Sequence, residues 1–494
     1  MDALRVTSPM LIRIRQVARA GDTMRAWRMF GEAGLHGSLV PEALSLKGRL
    51  LKDRAQRSKG AARARLLREA HDAYRQAAGD RRATYPLINA ATIACLNGDN
   101  AQAEALARHV LDLLASGDHE PETRYWLGAT AAEALLLLGD TQGCRKALAE
   151  AVALAPDAWE DQAATLSQLR AILAVKGLDS ALLEGFGPPP SLYFSGIILL
   201  ADREDAVRAE LAAVLEEVAP ASVHGALAAG VDILIAERAL ARGAELHVVL
   251  PGSIGTFRET SVTPFGAHWL PRFDALLEQA HSVTCLDPQA PVSRAGIDEA
   301  ARVAMGLAIR SADALAGEAL ALRAARKGDA LSRSHEAWRA RGLPHREVLL
   351  DHPAPVPRGG LGVNVVRTVL ASLAPFPPEV AGQALALAEA GHHLALFEDP
   401  AKAMALATQV LALDPDARLG LDTRSSLPDA DLHIVGKQAG VLARGAMPGE
   451  VCAPWPQAAA FDLVAPQFRF ETGGEIVTAL GDIPVGRYLR SESA

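Results

Sequence analysis

Helix stop-and-restart signals dominate the N-terminal third of this sequence. The pair Gly-Asp recurs at Gly21-Asp22, Gly79-Asp80, Gly98-Asp99 and Gly139-Asp140, each time between amphipathic stretches. Glycine tolerates the positive φ that ends a helix, and an aspartate directly after it can accept from the free amides that begin the next one. A chain punctuated this closely cannot form one long helix. It forms short antiparallel helical hairpins. From Leu11 to about Leu173 the apolar residues keep a helical period, most clearly over Ala101–Leu114 and Thr141–Leu154, and Ala155-Pro156-Asp157 then stops a helix. Stacked hairpins present a concave surface to a protein or peptide partner. Supporting or dimerising the rest of the chain is the plainer role for the same helices.

The remaining length exceeds one hydrophobic core, since 494 residues suggest about three domains at roughly 150 residues each. The tripeptide Pro188-Pro189-Pro190 cannot join a helix and marks the first boundary. Half of the residues are apolar but only 4% are aromatic, a composition of helix packing. No apolar run approaches the ~18 residues of a membrane span, and the N-terminus lacks a secretion signal, so a cytoplasmic protein without membrane contact is expected. A net charge of -8 argues against nucleic acid as a partner. Cys95, Cys144, Cys285 and Cys452 have neither metal nor redox spacing and read as buried thiols.

After the prolines the pattern changes. Ser191–Leu200 is strand-like and broken by Ser195-Gly196, a helix is expected over Ala206–Val218, and Val223–Leu240 runs from small residues into an amphipathic helix. Glu245–Leu250 reads as a buried strand closed by Pro251-Gly252. Strands alternating with helices imply a parallel sheet covered on both faces, with ligands held beyond the carboxyl ends of its strands. Those ends fall at Ser195-Gly196, at the Gly225–Gly230 turn and at Pro251–Ser261. Gly225 and Gly230 flank a loop entering a helix, where backbone amides can meet a phosphate. Asp232 suits a ribose hydroxyl or the helix N-terminus itself. Arg258, with Thr256, Thr260 and Ser261, would give an anion charge-assisted and hydroxyl contacts. Purely structural turns are the commoner cause of such glycines.

Resemblances to known families add to this reading. Tyr85–Thr92 (YPLINAAT) is similar to a signature of the TRAFs-binding helical region, whose name carries no TRAF binding over to this chain, and the hairpins resemble tetratricopeptide repeats. Tyr193–Gly196, Gly225–Glu237, Gly243–Pro251 and Phe257–Val262, in that order and followed by Ala337–Gly342, resemble the SLOG superfamily of Rossmann-like nucleotide sensors and nucleotide-processing enzymes. The match covers about Ser191 to Leu350. Ile197 stands where the relatives tend to carry histidine, which removes a polar ligand contact. The resemblance implies a nucleotide-derived ligand rather than a resident cofactor.

Pro353–Gly362 is a Pro/Gly linker, and a third domain is expected beyond it, with a strand-like run Val365–Leu373 and a closing segment Glu475–Leu489. Met447–Cys452 and Gly481–Tyr488 resemble turns of the class III adenylate/guanylate cyclases. The same alignment puts Ser372 and Gly391 where that family holds its two metal-binding aspartates, and Gly436 and Gly440 at its transition-state asparagine and arginine. Glycine can neither coordinate Mg²⁺ nor offset phosphate charge, so the resemblance implies a catalytically dead domain that still pairs into a dimer.

The expected architecture is multidomain α and α/β. It comprises a TPR-like helical repeat domain over 1–187, a Rossmann-like parallel-sheet domain over 191–352 and a truncated cyclase-like α+β domain over 363–494. The expected function is a nucleotide-sensing adaptor binding its ligand through Ser195, Gly196, Gly225, Gly230, Asp232, Arg258, Thr260 and Ser261. Its helical repeat would engage a protein partner. The alternatives are an N-glycosidic hydrolase assisted by Glu237 and a pure scaffold. His224, His247 and His268 read as scattered structural histidines, and His392-His393 with Glu398-Asp399 as a helix or strand edge with a solvated acidic turn rather than a metal site.

Overall fold

The computed structural model describes the whole chain except residues 1–2, 80, 199–203, 352–360, 382–384, 390–391, 431, 479–480 and 490–494. Most of the Pro/Gly linker, Asp80 and Gly391 therefore lie outside the described residues. The chain divides into two compact units at Pro188/Pro189, inside the tri-proline, with Ala314–Ala316 grouped with the first.

The first unit is helical. Its helices are α1 (Ala3–Arg19), α2 (Thr23–Glu32), α3 (Pro41–Gln56), α4 (Gly60–Ala78), α5 (Thr84–Leu96), α6 (Asn100–Ser116), α7 (Arg124–Leu137), α8 (Thr141–Leu154) and α9 (Trp159–Lys176). The Gly-Asp signals act as the sequence implies. Gly98 and Gly139 take φ of 87° and 86°, and Asp99 and Asp140 accept the Gln102 and Gly143 amides at 3.0 and 2.8 Å. Asp22 holds the same N-terminal position without a side-chain cap. Consecutive helices pair as hairpins, α3 with α4, α5 with α6 and α7 with α8. The Tyr85–Thr92 segment opens α5, which is buried from Pro86 through Leu96 at the centre of the array.

The second unit holds two sheets. The first contains β1 (Ser191–Ser195), β2 (Ser222–Gly225), β3 (Glu245–Leu250), β4 (Ser282–Cys285), β5 (Ala319–Arg326) and β6 (His345–Leu350). They lie in the order β4-β3-β2-β1-β5-β6, all parallel. The crossovers α10 (Glu204–Val218), α11 (Val231–Leu240) and α13 (Trp269–Gln279) cover one face, around Leu192, Phe194, Leu246 and Val248. Between β3 and α13 come one short turn of helix, α12 (Ile254–Phe257), and a π-helical turn, Arg258–Val262. Helices α14 (Arg294–Ala314) and α15 (Arg333–Ala340) cover the other face, over Tyr193, Val249 and Ala321. The strand order reverses between β1 and β5, so the crevice for a ligand opens beyond their carboxyl ends.

The second sheet is mixed. It is built from β7 (Val365–Ser372), β8 (Leu385–Glu389), β9 (His392–Phe397), β10 (Arg418–Ser426), β11 (Glu450–Pro454), β12 (Glu471–Ile476) and β13 (Ile483–Leu489), in the order β12-β13-β11-β10-β7-β9-β8. With α16 (Pro378–Ala381) and α17 (Pro400–Leu413), its first four strands form a β-α-β-β-α-β unit of ferredoxin-like type. The right-handed rule for crossovers applies to the parallel pair β10–β11, joined by α18 (Leu432–Gly445). Helix α18 rests almost directly on β10. A Cβ on Gly420 would come within 3.0 Å of the Ala439 carbonyl and the Ala443 amide.

The two sheets share buried surface. Helix α14 meets α19 (Trp455–Val464) backbone to side-chain-free backbone, since a Cβ on Gly306 would fall within 3.0 Å of the Ala459 carbonyl. Arg310 then pairs with Asp462, which is only 3% exposed, donates to the Phe470 carbonyl at 2.8 Å and lies 4.5 Å over the Trp455 ring. Ala460 and Leu463 join one apolar cluster with Tyr193, Val303 and Trp338.

Candidate functional site

The strongest polar feature at the reversal point is Asp232, in the first turn of α11. Its side chain is 7% exposed, Oδ2 accepts from the Ala228 amide at 3.2 Å, and Oδ1 has no hydrogen-bond partner. Burial pushes its carboxyl up to about 7, against the pull of the Ala228 and Gly196 amides. The Gly196 amide contributes to that lowering without closing a hydrogen bond of good geometry on Oδ1. A buried carboxylate oxygen without a donor costs free energy unless a ligand supplies one.

The backbone around Asp232 explains the nearby glycines. A Cβ on Gly196 would lie 3.1 Å from Asp232 Oδ1 and inside the Val231 side chain, so only glycine lets the β1 loop close over α11. A Cβ on Gly225 would come 2.7 Å from the Phe194 carbonyl. Gly230 takes a φ of 109° and bridges to Ile198. The Val231 amide donates to the Ile197 carbonyl at 3.1 Å and the Ala229 amide to the Ser261 carbonyl at 3.0 Å. Part of the helix N-terminus that sequence reasoning offers to a phosphate is therefore engaged by protein carbonyls. Beside the helix amides that remain, the site offers one buried acceptor, Oδ1 of Asp232.

Ser195 ends β1 and meets a residue that sequence reasoning did not connect to it. Its Oγ lies 3.1 Å from His335 Nε2, and His335 Nδ1 lies 2.9 Å from Ser332 Oγ. Burial, reinforced by Arg323, lowers His335 to about 4, so the ring is neutral and offers one donor and one acceptor nitrogen. Ser195 and His335 stand 140 residues apart, and nothing in one sequence links them before the sheet order is known.

Arg258, Thr260 and Ser261 form a separate group. The Arg258 guanidinium sits on the π-helical turn and pairs with Asp274 of α13 at 2.8 Å, while Ser261 is buried and joins the Asp232 region only through its carbonyl. Glu237 is held more firmly still. Arg272 grips both its oxygens, at 2.6 and 2.7 Å, and Arg208 approaches at 3.6 Å. A carboxylate held in a bidentate pair with arginine has both oxygens already engaged.

The histidines are more ordered than scattered. His224 on β2 and His247 on β3 are register partners whose rings stack 4.5 Å apart, and the His281 ring follows at 5.1 Å. Burial, then the neighbouring His247, holds His224 well below the usual range. His268 lies apart, against the Trp269 ring. One imidazole in each of two parallel strands was the available signal, but the pairing register that joins them is not written locally.

In the second sheet, Ser372 ends β7, is buried, and accepts from the Ala374 amide at 3.3 Å. Gly391 lies outside the described residues. Gly436 and Gly440 both face β9 from α18. A Cβ on the first would enter the Leu394 side chain, and one on the second would stand 2.8 Å from His392 Nε2. His392 is buried with neither ring nitrogen hydrogen-bonded, and Asp399 caps α17 through the Ala401 amide at 2.9 Å. Among the described residues no group of histidines, cysteines and carboxylates is arranged to hold a metal ion, and no helix is long and apolar enough to cross a membrane.

Comparison with known proteins agrees with the helical part. The sequence model of the family described as Tetratricopeptide Repeats-Sensor (TPR-S) matches residues 9–96, which run from α1 through α5. No match to a curated protein was found.

Proposed function

We propose that this chain is a cytoplasmic signalling protein whose parallel sheet binds a nucleotide-derived ligand. In this reading the SLOG-like sheet senses, the tetratricopeptide array engages a protein, and the cyclase-like sheet pairs without catalysing. The sensor match over residues 9–96 supports the signalling role. One observation carries the ligand: the buried, unpartnered Oδ1 of Asp232 beside Ser195 and Gly196, at the reversal of strand order. A ribose hydroxyl or an exocyclic amine would supply the missing donor, and the neutral Ser195–His335 pair would read a second polar group.

Three observations favour binding over turnover. Glu237 is locked by Arg272. The strand order of the second sheet suits a cyclase relative, yet Ser372 stands where the first metal-binding aspartate belongs. The Gly436 and Gly440 positions leave no room for an asparagine or arginine side chain.

The test is thermal stability of the full chain against NAD, ADP-ribose, ATP and cyclic nucleotides. A ligand that binds only the native state raises apparent stability by mass action. A shift with one nucleotide, lost in Asp232→Ala and Ser195→Ala but kept in Arg258→Ala, supports this site. A shift that depends on Arg258 and ignores Asp232 moves the pocket to the π-helical turn. Absence of any shift leaves the scaffold reading.

A further inference from the structure

Helix α9 does not continue the hairpin pattern of the array. An extra helix added to the end of such a stack would pack on the last hairpin alone. Instead α9 packs on both α5 and α7 and sends polar contacts to α1 and α3. Asp161 lies 3.5 Å from Arg19 of α1, Thr165 bonds the Tyr125 hydroxyl of α7 at 2.9 Å, and Gln168 accepts from Lys52 Nζ of α3 at 2.7 Å. The helices it touches are the first members of successive hairpins. In a stacked array one member of each hairpin lines the concave side, so α9 lies along that side.

Gln168 is the centre of the contact. Its Nε2 donates to Glu133 Oε1 of α7 at 2.9 Å and to Asn89 Oδ1 of α5 at 3.2 Å, while its Oε1 accepts from Lys52. Thr92 completes the set by donating to Glu133, whose carboxyl is raised by burial against the pull of Thr92, Gln168 and Lys52. The inner helices thus present an ammonium that needs an acceptor beside a carboxylate and a carbonyl oxygen that need donors. A carboxylate would repel Glu133 and an ammonium would repel Lys52. A carboxamide, with two N–H groups and one acceptor oxygen, answers all three. On either side of Gln168, Leu166, Leu169 and Ile172 fill the apolar part of the groove.

We propose that α9 is an internal occupant of the concave groove, and that the groove's partner is a protein helix of the same chemistry. That helix carries a carboxamide in place of Gln168 and aliphatic side chains in place of Leu166, Leu169 and Ile172. It makes the contacts that α9 gives up and competes with a tethered segment whose effective concentration is on the order of millimolar, so partner concentration decides the exchange. The breaks at Ala155-Pro156 and at Gly177, with a φ of 64°, bound the exchanging segment. This inference is independent of the nucleotide site.

The probe is a fluorescent peptide of residues 158–177, titrated against the full chain. The chain carrying Gln168→Glu and Leu169→Asp, both on α9, leaves the groove residues intact and should bind the peptide at least tenfold more tightly than the parent. A peptide with Gln168→Glu should not bind either chain. Hydrogen exchange in the unaltered parent gives the second readout: α9 amides should exchange at least tenfold faster than those of α5 and α7. If α9 exchanges only together with α5 and α7, it is an integral core helix and the proposal fails. It fails equally if the loosened α9 variant keeps α5 and α7 protected yet captures no peptide.

Discussion

Replacing Asp232 with asparagine should make the protein more stable at pH 8 and about 1 kcal/mol less stable at pH 3, where only the cost of the unpaired amide remains. Asparagine keeps the shape and the oxygen that accepts from the Ala228 amide at 3.2 Å, but carries no charge. The folded carboxyl sits at about 7, against about 3.8 when the chain unfolds. A folded-state pKa raised in this way favours the protonated native form. The stabilising contribution is therefore complete below the unfolded value and is lost as pH rises through the folded one. A shift of about three units corresponds to ~4 kcal/mol of penalty at pH 8, roughly 2 at pH 5 and almost none at pH 3. The new amide N–H₂ faces the same unfilled space as Oδ1, which returns ~1 kcal/mol of that gain. The net expectation is a variant about 3 kcal/mol more stable than the parent at pH 8. Urea unfolding of both proteins from pH 3 to pH 8, followed by tryptophan fluorescence, measures the difference, and the pH dependence of that difference is the decisive quantity. Curves that stay parallel across this range would refute the buried, under-solvated carboxylate. A residue that costs stability at neutral pH is also what a binding site retains when its function requires it.

Other expectations follow from the same geometry. If a ligand donates to Asp232, its Kd should rise about tenfold for each pH unit below 7, because the acceptor is then protonated; calorimetric titration at pH 5.5, 6.5 and 7.5 tests this, and a flat profile removes Asp232 from the contact. His335, lowered to about 4 by burial and by Arg323 and Arg339 against Asp298 and Glu347, has the opposite pH sign: its contribution is complete above about 6.5 and is lost on acidification, by ~2 kcal/mol at pH 5. His335→Gln should abolish that part of the acid sensitivity in urea unfolding. Gly440→Arg, which supplies the charge that the proposed cyclase likeness lacks, should lower stability by ~2–3 kcal/mol through overpacking against His392 and yield no cyclic nucleotide from ATP or GTP. Arg310→Ala should cost ~3–5 kcal/mol by stranding the Asp462 charge between the two sheets, and the double variant with Asp462→Ala should recover part of it.

What the sequence reveals here is local and what it hides is long-range. Gly98-Asp99 and Gly139-Asp140 predict their own turns because the φ of glycine and the capping oxygen of aspartate act within four residues. Glu245–Leu250 is likewise legible as a strand, since its apolar run and the following Pro251-Gly252 are contiguous. Asp232 stands out as a candidate at the start of a helix, but not as a buried one with an idle oxygen, since that depends on how Gly196 folds over it. The Ser195–His335 contact, the His224–His247 stack and the Arg272 grip on Glu237 each need strand order or helix packing before they exist. The Arg258 pairing is hidden for the same reason: it meets Asp274, sixteen residues further along a helix face that the linear pattern does not orient. Helix α9 is the clearest case. Its sequence is an ordinary member of the helical series, and only its partners show that it packs on both α5 and α7 and reaches α1 and α3.

The bare backbone approach of α14 to α19 at Gly306 has a practical consequence for anyone cutting this protein apart. A gene split between the two sheets would leave Ala460 and Leu463 on one product and Val303 and Trp338 on the other, each an open half of a single apolar seam. Such halves are poor candidates for separate purification. Co-expressed, they should find each other and reassemble through the Arg310–Asp462 pair, which would make this seam a natural basis for a two-fragment complementation reporter.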